Sequence, residues 1–138
     1  MIEEPKWLSS DAVQVTQETL IARTGGTPGV LNQTLLESTV NKPKFFFQYE
    51  PESSIFKLAA AYGYGFVKNH CFCDGNKRIA LATVSIFLRK NGYRLNAGEA
   101  ETVTFFLGLA GTLETYEEGF ARLTDWIERY AIKLEPKD

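Results

Sequence analysis

Residues 54–92, SIFKLAAAYGYGFVKNHCFCDGNKRIALATVSIFLRKNG, hold two apolar helical patterns joined by the densest cluster of reactive side chains in the chain. In the first pattern Ile55, Leu58, Ala59, Tyr62 and Phe66 recur at i, i+3, i+4, i+7 and i+11, the repeat of a helix with one broad buried face. Ser53 or Ser54 is placed to cap it, and it ends near Asn69. The second pattern starts around Asn76 and runs through Ile79, Leu81, Ala82, Val84, Ile86, Phe87 and Leu88 until Asn91-Gly92 stops it. Being apolar on nearly every side, this helix is expected at the centre of the molecule.

Working outward, Ser9 or Ser10 caps a first helix reaching about Arg23, which Gly25-Gly26 terminates. The segment TGGTPGVLNQ (24–33) reads as a tight turn. Asn32 opens a short helix carrying Leu35, Leu36 and Val40, and Pro43 is expected to end it by removing a donor and restricting Lys42. KPKFFFQYEP (42–51), flanked by prolines, reads as an extended arm or flap. Its alternating aromatics suit either packing into the core or facing a substrate. Beyond the link YRLN, two more helical patterns cover 97–110, with Ala100, Val103, Phe106, Leu107 and Ala110, and 116–131, with Phe120, Leu123, Ile127 and Tyr130. The expected fold is all-α, a bundle of six or seven helices with a short extended flap, in one domain over residues 1–138.

Composition sets the outer limits. The chain has 138 residues, 44% hydrophobic and 13% aromatic, enough apolar surface for a packed core and too much for a disordered chain. Fifteen Lys and Arg against seventeen Asp and Glu leave a net charge of −2, so no global positive field draws the chain to nucleic acid or anionic lipid. Cys71 and Cys73 have one residue between them, too little chain for an unstrained disulfide. With no signal-peptide run and no long uncharged apolar window, the expectation is a cytoplasmic chain with no membrane span and no direct nucleic-acid contact.

The chemistry concentrates in His70-Cys71-Phe72-Cys73-Asp74-Gly75-Asn76-Lys77-Arg78. Gly75-Asn76 opens a helix, whose first amides lack intrahelical partners and carry the positive end of the macrodipole, so the turn is an anion cradle. Glycine allows an oxygen to come close to the backbone. Lys77 and Arg78 add a point charge and a planar fork suited to phosphate oxygens, and Asp74 offers a hard oxygen ligand for Mg²⁺. Cations in a first turn oppose the dipole, so their position implies a compensating anion. His70, the one histidine, carries the side chain suited to general-base work near neutral pH. Two alternatives are weaker. Zinc held by His70, Cys71, Cys73 and Asp74 would need four ligands from five residues, and the cysteines fit small packing residues better than nucleophiles.

The motif His70-x-Phe72-x-Asp74-Gly75-Asn76-Lys77-Arg78, followed by FLRKNGY, resembles the death-on-curing (Doc) toxins, a branch of the Fic superfamily. Gly25-Gly26-x-x-Gly29, Leu35-Leu36-Glu37-Ser38 and Pro43 are similar to that family's N-terminal signature, so the resemblance spans roughly residues 20 to 95. It implies a Fic-type helical fold with a flap near the site, and transfer of a group from ATP to a protein hydroxyl. Members that transfer AMP usually carry glycine where Lys77 stands and a further arginine where Leu81 stands. Lys77 therefore resembles the Doc pattern, in which the nucleotide is reversed and its γ-phosphoryl group faces the histidine. Protein phosphorylation is the expected reaction, with AMP transfer and a catalytically silent binding module as alternatives.

Carried over by the resemblance, His70 deprotonates the target hydroxyl, Asp74 holds Mg²⁺, Gly75 and Asn76 bind phosphate oxygens, and Lys77 and Arg78 neutralise charge developing in transfer. Phe72 anchors the loop. Ile79 and Cys71 depart from the usual Doc residues without removing a charge. Many Fic proteins carry a Ser/Thr-x-x-x-Glu-Gly/Asn inhibitory segment, but Glu118-Gly119 has Glu114 where the hydroxyl belongs. The resemblance then implies restraint in trans by a Phd-like antitoxin, with the first helix and the FFFQY arm as candidate docking surfaces. The substrate it implies is a translation elongation factor, elongation factor Tu.

Overall fold

The computed structural model describes residues 3–111 and 113–135, with the side chains of Ala110 and Gly111 outside that description. Six helices are found among these residues: α1 (Ser10–Thr24), α2 (Gln33–Tyr49), α3 (Ile55–Lys68), α4 (Asn76–Lys90), α5 (Glu99–Gly111) and α6 (Tyr116–Tyr130). Two short strands, β1 (Tyr93–Leu95) and β2 (Ala131–Lys133), pair antiparallel with Arg94 opposite Ile132. The all-α expectation holds, and the link after α4 proves to be a strand that ties the end of α4 to the end of α6.

Polar side chains set the helix starts. Ser9, Asn32, Ser54 and Thr115 each accept a hydrogen bond from a first-turn amide, of Ala12, Leu35, Lys57 and Glu118 respectively. Thr115 and Glu118 complete a reciprocal capping box. Glu118 is thereby committed to its own helix start, and the cap hydrogen bonds hold its carboxyl below the ordinary range.

The centre of the bundle is α3, not α4. Every residue from Leu58 to Val67 is buried, and α2, α4, α5 and α6 all pack against it. The second pattern is instead one-sided. Ile79, Ala80, Thr83, Val84, Phe87 and Leu88 of α4 are buried, whereas Leu81 and Ile86 are only half-buried. The small residues of α3 decide this: Ala59, Ala60, Ala61, Gly63 and Gly65 let neighbouring helices approach on all sides. Outside this layer, the segment before α1 covers the core. Trp7 stacks on Phe87, and Leu8 donates its backbone N–H to the Tyr62 hydroxyl at 3.0 Å. Burial pushes that phenol up to about 12.

Two local expectations are corrected. Residues 42–49 are helical rather than an extended flap, and Pro43 lies buried inside α2 instead of ending it. A proline in a helix interior costs about 3 kcal/mol. Phe46 stacks on Phe120, and Phe47 meets Trp7 edge-on, so aromatic packing offsets the lost backbone bond. The extended segment beside the motif is the stretch read as a tight turn: Val30 bridges Phe72 antiparallel, and Leu31 and Asn32 donate to the carbonyl of Cys71. Val103 and Leu107, part of the helical pattern of α5, lie outside the core. They are 50% and 53% exposed and face the cavity described below.

Close packing at α3 has a measurable consequence. A Cβ at Gly63 would stand 2.6 Å from Val84 Cγ2 and 3.3 Å from Leu123 Cδ2. Gly63→Ala is therefore expected to lower the urea midpoint, because overpacking of about 1–3 kcal/mol exceeds a helix-propensity gain of at most about 1 kcal/mol. A midpoint at or above wild type would show slack between α3, α4 and α6.

Candidate active site

Between the end of α3 and the start of α4, residues 69–75 form a loop closed by one side chain. The Asn76 amide donates to the Phe72 carbonyl at 3.0 Å and accepts from the Phe72 N–H at 3.1 Å. Phe72 is 1% exposed and stacks with Phe66, so the loop is anchored in the core at the point where Asn76 grips it. The side chain assigned to phosphate thus holds the loop, which leaves the backbone of Asn76 for a ligand.

Gly75 caps α4 with φ +76°, the left-handed conformation that suits glycine. Unlike α1, α2, α3 and α6, α4 has no side-chain cap. The first internal bond runs from the Ile79 N–H to the Gly75 carbonyl, and the amides of Asn76, Lys77 and Arg78 have no partner among the described residues. Three donors at the positive end of a helix converge on one spot.

Above that spot lies a cavity of about 710 Å³. His70, Asp74, Gly75, Asn76, Lys77 and Arg78 supply its polar lining, and Val67, Leu81, Val103, Phe106 and Leu107 its apolar lining. All six residues singled out from the sequence are therefore brought together. The exposed apolar residues of α5, Val103 and Leu107, belong to that apolar lining.

The charged groups are held differently. Lys77 is exposed and makes no ion pair among the described residues. Arg78 reaches back to the C-terminal end of α1, where its Nη1 donates to the Thr24 hydroxyl and, at 3.4 Å, to the Gly25 carbonyl. The negative end of one helix dipole there offsets the positive end of the other. Asp74 accepts from the Gly75 N–H at 2.8 Å through Oδ1, which also lies 3.8 Å from Arg78 Nη2. Both side chains of this pair are more than a third exposed, so the ion pair contributes little to stability.

Two features were not legible as site components. Gly26, with φ +118°, packs its Cα against the Asp74 carboxylate; an added Cβ would stand 2.5 Å from Oδ2. Gln17 of α1 is 1% exposed, and its amide donates to the Asp74 carbonyl at 3.1 Å. Nothing in the polar run around Gln17 distinguishes it from a solvated helix face.

The zinc arrangement is not assembled. Among the described residues no group of three or more His, Cys, Asp or Glu side chains converges on a metal position. Cys71 is buried against the Thr39 hydroxyl at 3.5 Å, and Thr39 also accepts from Asn69.

With this geometry in view, the comparisons define the class. The Fic/DOC family model matches residues 7–88, from the segment before α1 through α4, and the chain belongs to that family. Among its relatives, "Protein kinase doc" of Escherichia phage P1 is 30% identical over 88 residues, covering 64% of this chain and 70% of that protein. The resemblance read from the motif is confirmed at the level of the family. No described helix is long and apolar enough to cross a membrane.

The two thiols should separate chemically. Burial pushes the Cys71 thiol up, which lowers its thiolate fraction at neutral pH, while Cys73 is exposed at the cavity. Iodoacetamide is expected to modify Cys73 in the native protein and Cys71 only after denaturation. Equal rates at both positions, read by peptide mass spectrometry, would contradict the described loop.

Proposed function

We propose that this chain is a protein-modifying transferase that moves the γ-phosphoryl group of ATP to a hydroxyl of a target protein. The observation that carries the proposal is the start of α4, where three amides and Lys77, without partners among the described residues, adjoin a cavity that also has an apolar lining. Polyphosphate fits the amides and cation, and a nucleobase fits the wall formed by Val103, Phe106 and Leu107. The relative named a protein kinase supports transfer to protein.

Asp74 suits Mg²⁺, which takes one or two protein carboxylates and completes its shell with phosphate and water. Its Oδ2 lies at the loop surface beside Gly26, while Oδ1 is committed to Gly75 and Arg78. Mg²⁺ bound there with the nucleotide would supply positive charge to the phosphate oxygens. His70, exposed near the start of the loop, takes the proton from the target hydroxyl as that oxygen bonds to the γ-phosphorus. The bond from the γ-phosphorus to the bridging oxygen breaks, and ADP leaves. The amides of Asn76, Lys77 and Arg78 and the Lys77 ammonium hold the charge that moves onto phosphate oxygens.

The biological setting rests on the same family likeness. A toxin restrained by a Phd-like antitoxin is the role that fits, with elongation factor Tu as the target the resemblance suggests. Val15 of α1, and Phe45 and Tyr49 near the end of α2, are 60%, 56% and 89% exposed, which supports α1 and the FFFQY stretch as partner surfaces.

Intact-mass spectrometry of a translation extract incubated with ATP and Mg²⁺ tests the reaction. A phosphate-sized gain on one protein is expected, reduced by about 10²–10⁴-fold in His70→Ala. A nucleotide-sized gain would replace phosphorylation with AMP transfer. A gain unaffected by His70→Ala would remove the histidine from the chemistry.

A further inference from the structure

Gln17 sits midway along α1, one of four buried polar side chains among the described residues and the one that reaches the backbone of Asp74. A primary amide taken out of water is costly unless its donors and acceptor are used. Here they are used on two separate loops. Nε2 donates to the Asp74 carbonyl at 3.1 Å and to the Thr27 carbonyl at 3.4 Å, and Oε1 accepts from the Gly29 N–H at 3.3 Å. One side chain therefore clamps the glycine loop between α1 and α2, at Thr27 and Gly29, to the backbone of Asp74.

The loops meet again on either side of that clamp. Cys73 donates its N–H to the Gly29 carbonyl at 3.0 Å, and the Gly26 Cα packs on the Asp74 carboxylate. The Asp74 side chain is 48% exposed, and its Oδ1 is held by the Gly75 N–H at 2.8 Å with Arg78 Nη2 at 3.8 Å. Its backbone is set from behind, through the carbonyl bound by Gln17, and its Oδ2 edge is backed by Gly26.

We infer that Gln17 is a positioning residue, holding the glycine loop and the 69–75 loop as one unit so that the Asp74 carboxylate stays beside the anion cradle. Gln17 itself touches neither nucleotide nor metal. This inference rests on the reading of Asp74 as the Mg²⁺ ligand, but the coupling of the two loops is independent of that reading and is measured separately.

The test uses Gln17→Met, which keeps the volume and removes all three hydrogen bonds, in the full chain. By NMR-detected amide exchange, Gly29, Leu31 and Cys73 are expected to exchange more than about tenfold faster, with the amides of α3 and the second half of α4 unchanged. Isothermal titration with ATP is expected to show that the affinity added by Mg²⁺ falls by about 10–100-fold. Affinity for ATP measured in EDTA should stay near wild type, a split that general loosening of the fold would not produce. Should Gln17→Met fail to fold, Gln17→Glu keeps the acceptor for Gly29 and loses both donors, and the same loss of the Mg²⁺-dependent part is expected. Wild-type exchange at Gly29 and Cys73 in a folded variant would overturn the clamp. Faster exchange with an unchanged Mg²⁺ contribution would overturn the positioning of Asp74. A wild-type chain that binds no ATP would instead remove the proposed function, leaving the exchange result to decide the clamp.

Discussion

The grip of the Asn76 side chain on the backbone of Phe72 is the interaction on which the site depends. Phe72 is buried in the core against Phe66, so the hydrogen bond Asn76 donates to its carbonyl and the one Asn76 accepts from its N–H tie the first residue of α4 to a core-anchored point. Gly75 then has to turn left-handed to enter the helix between them. The outcome is a helix start whose position is defined by core packing and whose amides are nevertheless open to the cavity. A side-chain cap at that end would satisfy one of those donors and remove it from use.

Charge is distributed around this start so that the two motif cations do different things. Arg78 is drawn to the C-terminal end of α1 by the Thr24 hydroxyl and the Gly25 carbonyl, where the helix end favours a cation. Lys77 has no such partner and stands beside the three amides. Arg78 thus joins α1 to α4 as part of the frame, while Lys77 stays exposed in the lining of the cavity, where the proposed function has it meet the phosphates. Anchoring the frame on α1, α2 and α3 together explains why the family likeness spans residues 7–88, whereas α5 contributes only an apolar wall.

Much of this was legible in the sequence because it is local. Ser9, Asn32 and Ser54 announce helix starts through their own side chains, and the cluster from His70 to Arg78 lies within nine consecutive residues. What was not legible depends on distant partners. Pro43 and the three phenylalanines read as an extended flap until Phe120 and Trp7 are seen to supply the packing that keeps α2 helical. Periodicity places Val103 and Leu107 on an apolar face but cannot say whether that face meets the core or a cavity. Burial of α3 on all sides follows from its small residues, a signal weaker in the sequence than the large apolar residues of α4. The role of Gln17 requires two loops that only the fold brings together.

The central claim is that the amides opening α4 are the place where a nucleotide's phosphates bind. NMR titration of the ¹⁵N-labelled chain with ATP and Mg²⁺ tests it most directly, since each amide is observed on its own. The largest chemical-shift changes are expected at Asn76, Lys77 and Arg78, with smaller ones at Val103 and Leu107 in the apolar lining. Saturable binding that leaves those three amides unmoved, or no binding at all, would contradict the account.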